Sequence, residues 1–107
     1  MKTLKFYHPL PEMILSWKKD ITWRIEDEKN IQVWDELSFL SRPELVEFAK
    51  AKVLNVNCTK FWELKEEDIE WHEKFESEEE KYKNYSNYYK TEITPNTELK
   101  VIKFKLI

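Results

Sequence analysis

Glycine is missing from all 107 residues of this sequence. Average usage of about 7% would supply roughly seven. Turns, helix C-caps and tight strand connections use glycine because it reaches φ > 0 without strain. Its absence leaves Asn, Asp or strained residues to do that work. Cysteine is nearly absent as well. Cys58 stands alone, which excludes an intramolecular disulfide and a multi-cysteine zinc site. The N-terminal Met-Lys-Thr-Leu-Lys-Phe-Tyr-His has no apolar stretch long enough for a signal peptide, and no segment is long enough to span a bilayer. A cytoplasmic protein with no membrane partner is expected. A basic excess is also lacking: 18 Lys and Arg face 21 Asp and Glu, for a net charge of −3. That balance argues against a dedicated phosphate-backbone binder and leaves room for a local basic cleft.

What is present reads as a globular chain, with 41% hydrophobic and 36% charged residues. The length suits one domain over residues 1–107, able to bury a core of its own. Tryptophan, normally rare, occurs five times. Lys2 to Tyr7 reads as a strand. A short helix follows, with Leu10, Met13, Ile14 and Trp17 at helical spacing and Pro9 and Pro11 near its start. Strands are predicted from Asp20 to Ile25, from Asp35 to Leu40 and from Glu47 to about Val56. Phe61 to Tyr89 reads as helical, its second helix starting at the capping box Ser77 with Glu80. Leu99 to Leu106 closes the chain as a strand, with Ile102, Phe104 and Leu106 on one side. Short strands with crossing helices favour an α+β fold, a small mixed β-barrel with helices packed beside it.

Chemistry concentrates between Lys18 and Arg24. On a strand Thr22 and Arg24 face the same side, and Lys19 at the preceding bend can turn toward them. Taken alone, these residues also read as a surface lysine pair, a β-propensity threonine and a salt-bridged arginine. Trp23 faces the opposite side and is expected in the core. Tyr82, Tyr85 and Tyr89 are expected to pack against the sheet rather than stack on bases. Cys58 reads as a small apolar filler. His72 beside Asp68, Glu70 and Glu73 reads as part of a solvated acidic helix, since there is no His-Glu-x-x-His pattern and His8 is far away in sequence. No metal and no cofactor are implied.

The segment Met13-Ile-Leu-Ser-Trp-Lys-Lys-Asp-Ile-Thr-Trp-Arg24, followed by Ile31-Gln-Val-Trp-Asp-Glu-Leu-Ser38, resembles the signature of ASCH domains, a branch of the PUA-like barrels. In that signature a helix ends in Gly-Lys-Lys, a strand carries Thr-x-Arg and a Val-Gly-Asp turn follows. Glu47 to Val53 and Val101 to Phe104 also look like the family, so the resemblance runs over nearly the whole chain. It implies a cleft that takes a modified nucleoside or an RNA base, as in the small 4-acetylcytidine amidohydrolase-like branch. It further implies Lys19 as general base, Thr22 as nucleophile, Glu73 (alternatively Glu70) as the acid at the leaving group, and Lys18 and Arg24 as substrate-binding residues. A non-catalytic RNA-binding module in translation-linked regulation, with Lys50, Lys52, Lys60 and Lys65 extending a basic face, is the alternative. A ribonuclease ranks third, because neither histidine is near the Lys-Thr-Arg motif in sequence.

The departures from the pattern are informative. Trp17 and Trp34 stand where the family pattern has glycine, and Trp62 and Trp71 stand where relatives often do. Some bacterial lineages decode UGA as glycine and other genetic codes read it as tryptophan. A gene of the first kind read by the second would lose glycine and gain tryptophan at turns.

Overall fold

A computed structural model of the chain describes residues 1–25, 29–69 and 75–107. The order of elements is β1 (Lys2–Tyr7), α1 (Leu10–Leu15), β2 (Ile21–Arg24), β3 (Glu36–Arg42), β4 (Glu47–Lys60), a 3-10 turn (Phe61–Glu63), α2 (Glu66–Ile69), α3 (Glu78–Tyr89) and β5 (Glu98–Leu106). The strands form one five-stranded sheet in the order β1-β3-β4-β5-β2. β1 runs parallel to β3 and the other neighbours pair antiparallel. The sheet curls into a half-barrel, the small α+β fold expected. Its two edge strands are β1 and β2.

Alternation along the strands separates two apolar layers. Inside the curl lie Leu4 and Phe6 of β1, Leu37 and Phe39 of β3, Ala51 and Val53 of β4, and Ile102 and Phe104 of β5. Ile14 of α1 and Ile31 close this core. The Phe39 ring meets Phe6 at 5.0 Å and Phe104 at 4.8 Å, both edge-on, the arrangement that aromatic quadrupoles favour. A bulge in β4, where Phe39 pairs with Ala49 and Leu40 pairs with Glu47, leaves Phe48 without a partner. The extra residue re-aims its side chain, and Phe48 turns to within 6.2 Å of Phe6 and 6.0 Å of Phe39 instead of following Lys50 and Lys52 outward.

The opposite face of β2 and β5 carries the second layer, Ile21, Trp23, Leu99 and Val101, with Phe61 and Ile93 against it. α3 covers this layer with Tyr82 and Tyr85. Its first turn is held by Ser77, whose hydroxyl accepts the Glu80 N–H at 3.1 Å. Trp23 is 4% exposed, as expected of a core residue, and its indole N–H donates to the Asp68 carbonyl at 3.1 Å. Lys81 is buried on this face. Its ammonium pairs with Glu78 at 2.8 Å and lies 5.1 Å from the Tyr82 ring centroid, so stem and charge both find partners.

Several boundaries differ from expectation for local reasons. β3 starts at Glu36 because Asp35 is engaged in the preceding turn. β4 runs on to Lys60 because β5 pairs with it down to Glu98. Cys58 is exposed rather than a core filler, since β4 beyond its second irregularity, at Val53 and Asn55, presents Asn57 and Cys58 to solvent.

Candidate functional site

The half-barrel leaves a gap between its two edge strands, and a cleft of about 390 Å³ opens there. One wall is the end of β1 and the start of α1, from Lys5 to Leu10. The other is Thr22, Trp23 and Arg24 of β2. Phe75 and the α3 residues Asn84, Tyr85 and Tyr89 complete it. The volume lies in the range that accommodates small organic ligands. The Tyr85 and Tyr89 rings are stacked at 6.3 Å and 8°, and Tyr85 stacks on Trp23 at 6.0 Å and 25°. Tyr85 packs on the second layer as expected, Tyr89 stacks on Tyr85, and the two form a flat, aromatic side of the cleft. The Tyr89 hydroxyl accepts the Ile25 N–H at 3.3 Å, fastening the end of α3 to the end of β2.

Arg24 bridges the gap. Its Nη2 donates to the Lys5 carbonyl of β1 at 3.2 Å, and its guanidinium lies 4.9 Å from the Phe6 ring centroid. Its Nε is buried without a hydrogen-bond partner among the described residues. Thr22 is 4% exposed at the cleft wall, and its hydroxyl makes no hydrogen bond among the described residues. Thr22 and Arg24 therefore share the cleft, as their spacing on β2 requires. Lys19 does not line the cleft: it is 2% exposed, and its ammonium donates to the Ile21 carbonyl at 2.6 Å. Lys18 is exposed just beyond α1. Glu70 and Glu73, with Trp71 and His72, lie outside the described residues. Among the described residues no group of His, Cys, Asp or Glu is arranged to hold a metal.

His8 is on the rim of this cleft despite its distance in sequence. Curling the sheet brings the end of β1 beside β2. Nδ1 of His8 is 2.5 Å from Glu12 of α1, and Nε2 is 2.6 Å from Glu44 in the β3–β4 connection. The Glu44 hydrogen bond, and then that of Glu12, raise the His8 pKa above its ordinary 6.5. The stabilisation this bridge contributes is thus fully present below about pH 6.5 and is lost as pH rises through the folded-state pKa. An NMR titration of His8 is expected to give a midpoint above 6.5, returning toward the ordinary value in Glu44→Gln. Sequence reasoning had no signal for His8, nor for Asn84, whose amide makes no hydrogen bond among the described residues.

The backbone beside the motif has an unusual feature. Trp17 sits at φ 65 immediately after α1. Its N–H donates to the Ile14 carbonyl at 3.2 Å, and the Lys18 N–H donates to the Met13 carbonyl at 2.9 Å. This is the Schellman pattern, whose left-handed position is usually glycine. Trp34 sits at φ 73 as the third residue of the turn Gln32–Asp35, closed by the Asp35 N–H on the Gln32 carbonyl at 3.1 Å. That position with φ > 0 also selects glycine. Both indoles are exposed, by 68% and 64%. Trp62 is 63% exposed, but its backbone is in a 3-10 turn and is not left-handed. Asn30, Leu45 and Lys90 are the other described residues with positive φ.

No family model and no curated protein matches the sequence. Solved structures do match the fold. The chain superposes on an ASCH domain from Lactobacillus crispatus with a TM-score of 0.71 at 12% identity, covering 98% of this chain and 79% of that one. An ASCH protein from Zymomonas mobilis gives 0.65 at 14% identity, covering 96% and 65%. The hypothetical protein PH0355 gives 0.73 at 26% identity and matches end to end, covering 100% of both chains.

Proposed function

With the fold of an ASCH domain as the frame, we propose that this chain binds the base of a modified cytidine in the cleft between β1 and β2 and hydrolyses the acetyl amide of 4-acetylcytidine. The observation that carries the reading is one cleft of about 390 Å³ that combines a stacked tyrosine side with Thr22 and Arg24. A flat base fits against the tyrosines, since stacking on aromatic side chains accepts any base through its π-face. The Thr22 hydroxyl attacks the acetyl carbon while Lys19, acting from its neutral amine form, takes its proton and becomes the ammonium. The C–N bond breaks and the exocyclic amine of cytidine leaves with a proton from Glu73, or Glu70 in its place. Water then hydrolyses the acetyl-threonine ester, releasing acetate and restoring the hydroxyl. Arg24, already fixed by Lys5 and Phe6, stabilises the oxyanion with its remaining N–H groups, and the exposed Lys18 attracts the substrate. No cofactor takes part.

Thr22→Val keeps the shape of the cleft wall and removes the hydroxyl. It is expected to leave the Kd for 4-acetylcytidine unchanged and to lower the rate of cytidine release by a factor of about 10²–10⁴. Equal turnover by Thr22→Val would remove Thr22 from the mechanism. A non-catalytic RNA-binding module is the second reading, favoured by the lysines that β4 and β5 present outward.

The tryptophans belong to the same proposal. Trp17 and Trp34 occupy left-handed positions in a chain without glycine. These two features support reading positions 17 and 34 as glycine codons of the UGA type translated as tryptophan, and the same reading is extended to positions 62 and 71 on the family resemblance alone. UGG at codons 17 and 34 of the source gene would end that reading.

A further inference from the structure

Three separate parts of the chain meet at His8. It follows the last residue of β1 and lines the cleft beside Pro9 and Leu10. Its Nδ1 lies 2.5 Å from Glu12 of α1, and its Nε2 lies 2.6 Å from Glu44 in the β3–β4 connection. An ionised carboxylate accepts hydrogen bonds and has none to donate. The Glu44 carboxyl is held below its ordinary 4.5, first by its own backbone N–H and then by His8, which keeps it in that form. A neutral imidazole carries one N–H and satisfies one carboxylate. Only the imidazolium donates from both nitrogens, so the two contacts together require it.

The other charged groups described around this corner are Lys5 and Arg24 on the cleft walls and Arg42 at the end of β3. Arg24 is turned to the Lys5 carbonyl, and Arg42 to the ring and hydroxyl of Tyr7. The end of β1 is thus tied to the β3 side twice. Arg42 on Tyr7 is a permanent tie, because a guanidinium keeps its charge. Glu44 on His8 is conditional, because histidine ordinarily changes charge between pH 5 and 8. When His8 loses a proton, one carboxylate faces a bare ring nitrogen and that contact is lost. The His8 side chain is 42% exposed, so its protonation follows the solvent. Whichever contact goes, the segment from His8 to Leu10 loses an anchor, and that segment is a wall of the cleft.

We propose that His8 is a positioning residue for the cleft: clasped as an imidazolium by Glu12 and Glu44, it fixes the wall formed by Pro9 and Leu10, and nucleoside binding is thereby coupled to its protonation. The proposal rests on the cleft reading above. A wall fixed before the ligand arrives removes ordering that would otherwise oppose binding. Linkage is reciprocal, so a nucleoside that prefers the clasped wall raises the proton affinity of His8 by the same factor. Binding is therefore tightest below the His8 midpoint and weakens as pH rises through it. Couplings between sites are typically about 5–150-fold. All three side chains of the clasp are partly exposed to water, which screens their charges and sets this one at about fivefold.

The test measures the Kd of the full chain for cytidine from below to well above the His8 midpoint. Cytidine has no amide to hydrolyse, and binding avoids the pH dependence that the proposed base gives to turnover. The His8 ring signals are followed by NMR in the same samples and identified by their loss in His8→Gln. Kd is expected to rise about fivefold through the His8 midpoint, and saturating cytidine to raise that midpoint by about 0.7 pH unit, the logarithm of the same factor. In Glu12→Gln/Glu44→Gln the histidine still titrates, but Kd is expected not to follow it. A Kd that follows His8 equally in this double variant would show a direct contact between His8 and the nucleoside and overturn the positioning role. Cytidine binding that is flat with pH, or a His8 midpoint that cytidine leaves unmoved, overturns the proposal while leaving the cleft reading intact. No binding of cytidine or 4-acetylcytidine at any pH overturns both.

Discussion

Glycine at positions 17 and 34 is expected to make this protein more stable, whereas glycine at position 23 is expected to unfold it. A left-handed backbone costs a residue with a Cβ roughly 1–2 kcal/mol. Trp17 and Trp34 both bear that cost, at φ 65 and φ 73. Their indoles are exposed and return little packing, apart from the contact of Trp34 with Lys52, of a kind worth about 0.5 kcal/mol at an exposed site. Glycine's larger unfolded-state freedom takes back about 0.5–1 kcal/mol at each position. The double change therefore gains on the order of 1 kcal/mol, or roughly 4–8 °C in Tm. Trp62→Gly brings no gain, because its 3-10 backbone needs no glycine. Trp23 is the opposite case. It is 4% exposed, stacks on Tyr85, meets Phe61 edge-on at 6.0 Å and donates to the Asp68 carbonyl. Truncating it forfeits about 3–5 kcal/mol, much of the stability of a chain this size. Far-UV circular dichroism melts of the single variants decide between these outcomes without relying on tryptophan fluorescence. Destabilisation by both Trp17→Gly and Trp34→Gly would show that the indoles belong where they are.

Lys19→Met is expected to abolish turnover at small cost to the fold. Lys19 is among the largest fully buried side chains in the molecule as described. Methionine nearly fills its volume, so the substitution removes the ammonium without leaving a large cavity. It deprives the Ile21 carbonyl of a donor 2.6 Å away, a loss of about 1 kcal/mol. If Lys19 is the base that activates Thr22, deacetylation falls by a factor of about 10²–10⁴. The binding constant for 4-acetylcytidine stays where it is. A purely structural lysine gives the reverse, a lower melting temperature with turnover intact.

Much of the fold was legible because alternation and turn chemistry agree along the chain. β1 follows Leu4 and Phe6, α3 starts at Ser77 as its capping box requires, and β5 places Ile102 and Phe104 inward. The site was legible in part. Period-two geometry on β2 correctly put Thr22 and Arg24 on one side, and both line the cleft. The same spacing carries no information about depth, so the burial of Lys19 was not expressed in it. His8 was discounted for its separation in sequence, yet curling the sheet brings the two edge strands together and sets it on the rim. Asn84 and Tyr89 reach the cleft through the docking angle of α3, which no local pattern encodes. Phe48 reversed its side through a single bulge. Positions 17 and 34 were flagged by the lack of glycine together with the resemblance to the ASCH signature, and the backbone gives both the left-handed geometry that glycine serves.

The most direct test of the central claim is the release of cytidine and acetate from 4-acetylcytidine, followed by chromatography. It compares this chain, the form with glycine at positions 17, 34, 62 and 71, and Lys19→Met in that glycine background. The cleft reading predicts turnover by the glycine form, a slower or equal rate for the tryptophan chain and none above background for Lys19→Met. A folded glycine form that releases no more cytidine than its Lys19→Met counterpart would contradict it and leave RNA binding without hydrolysis as the function of the cleft.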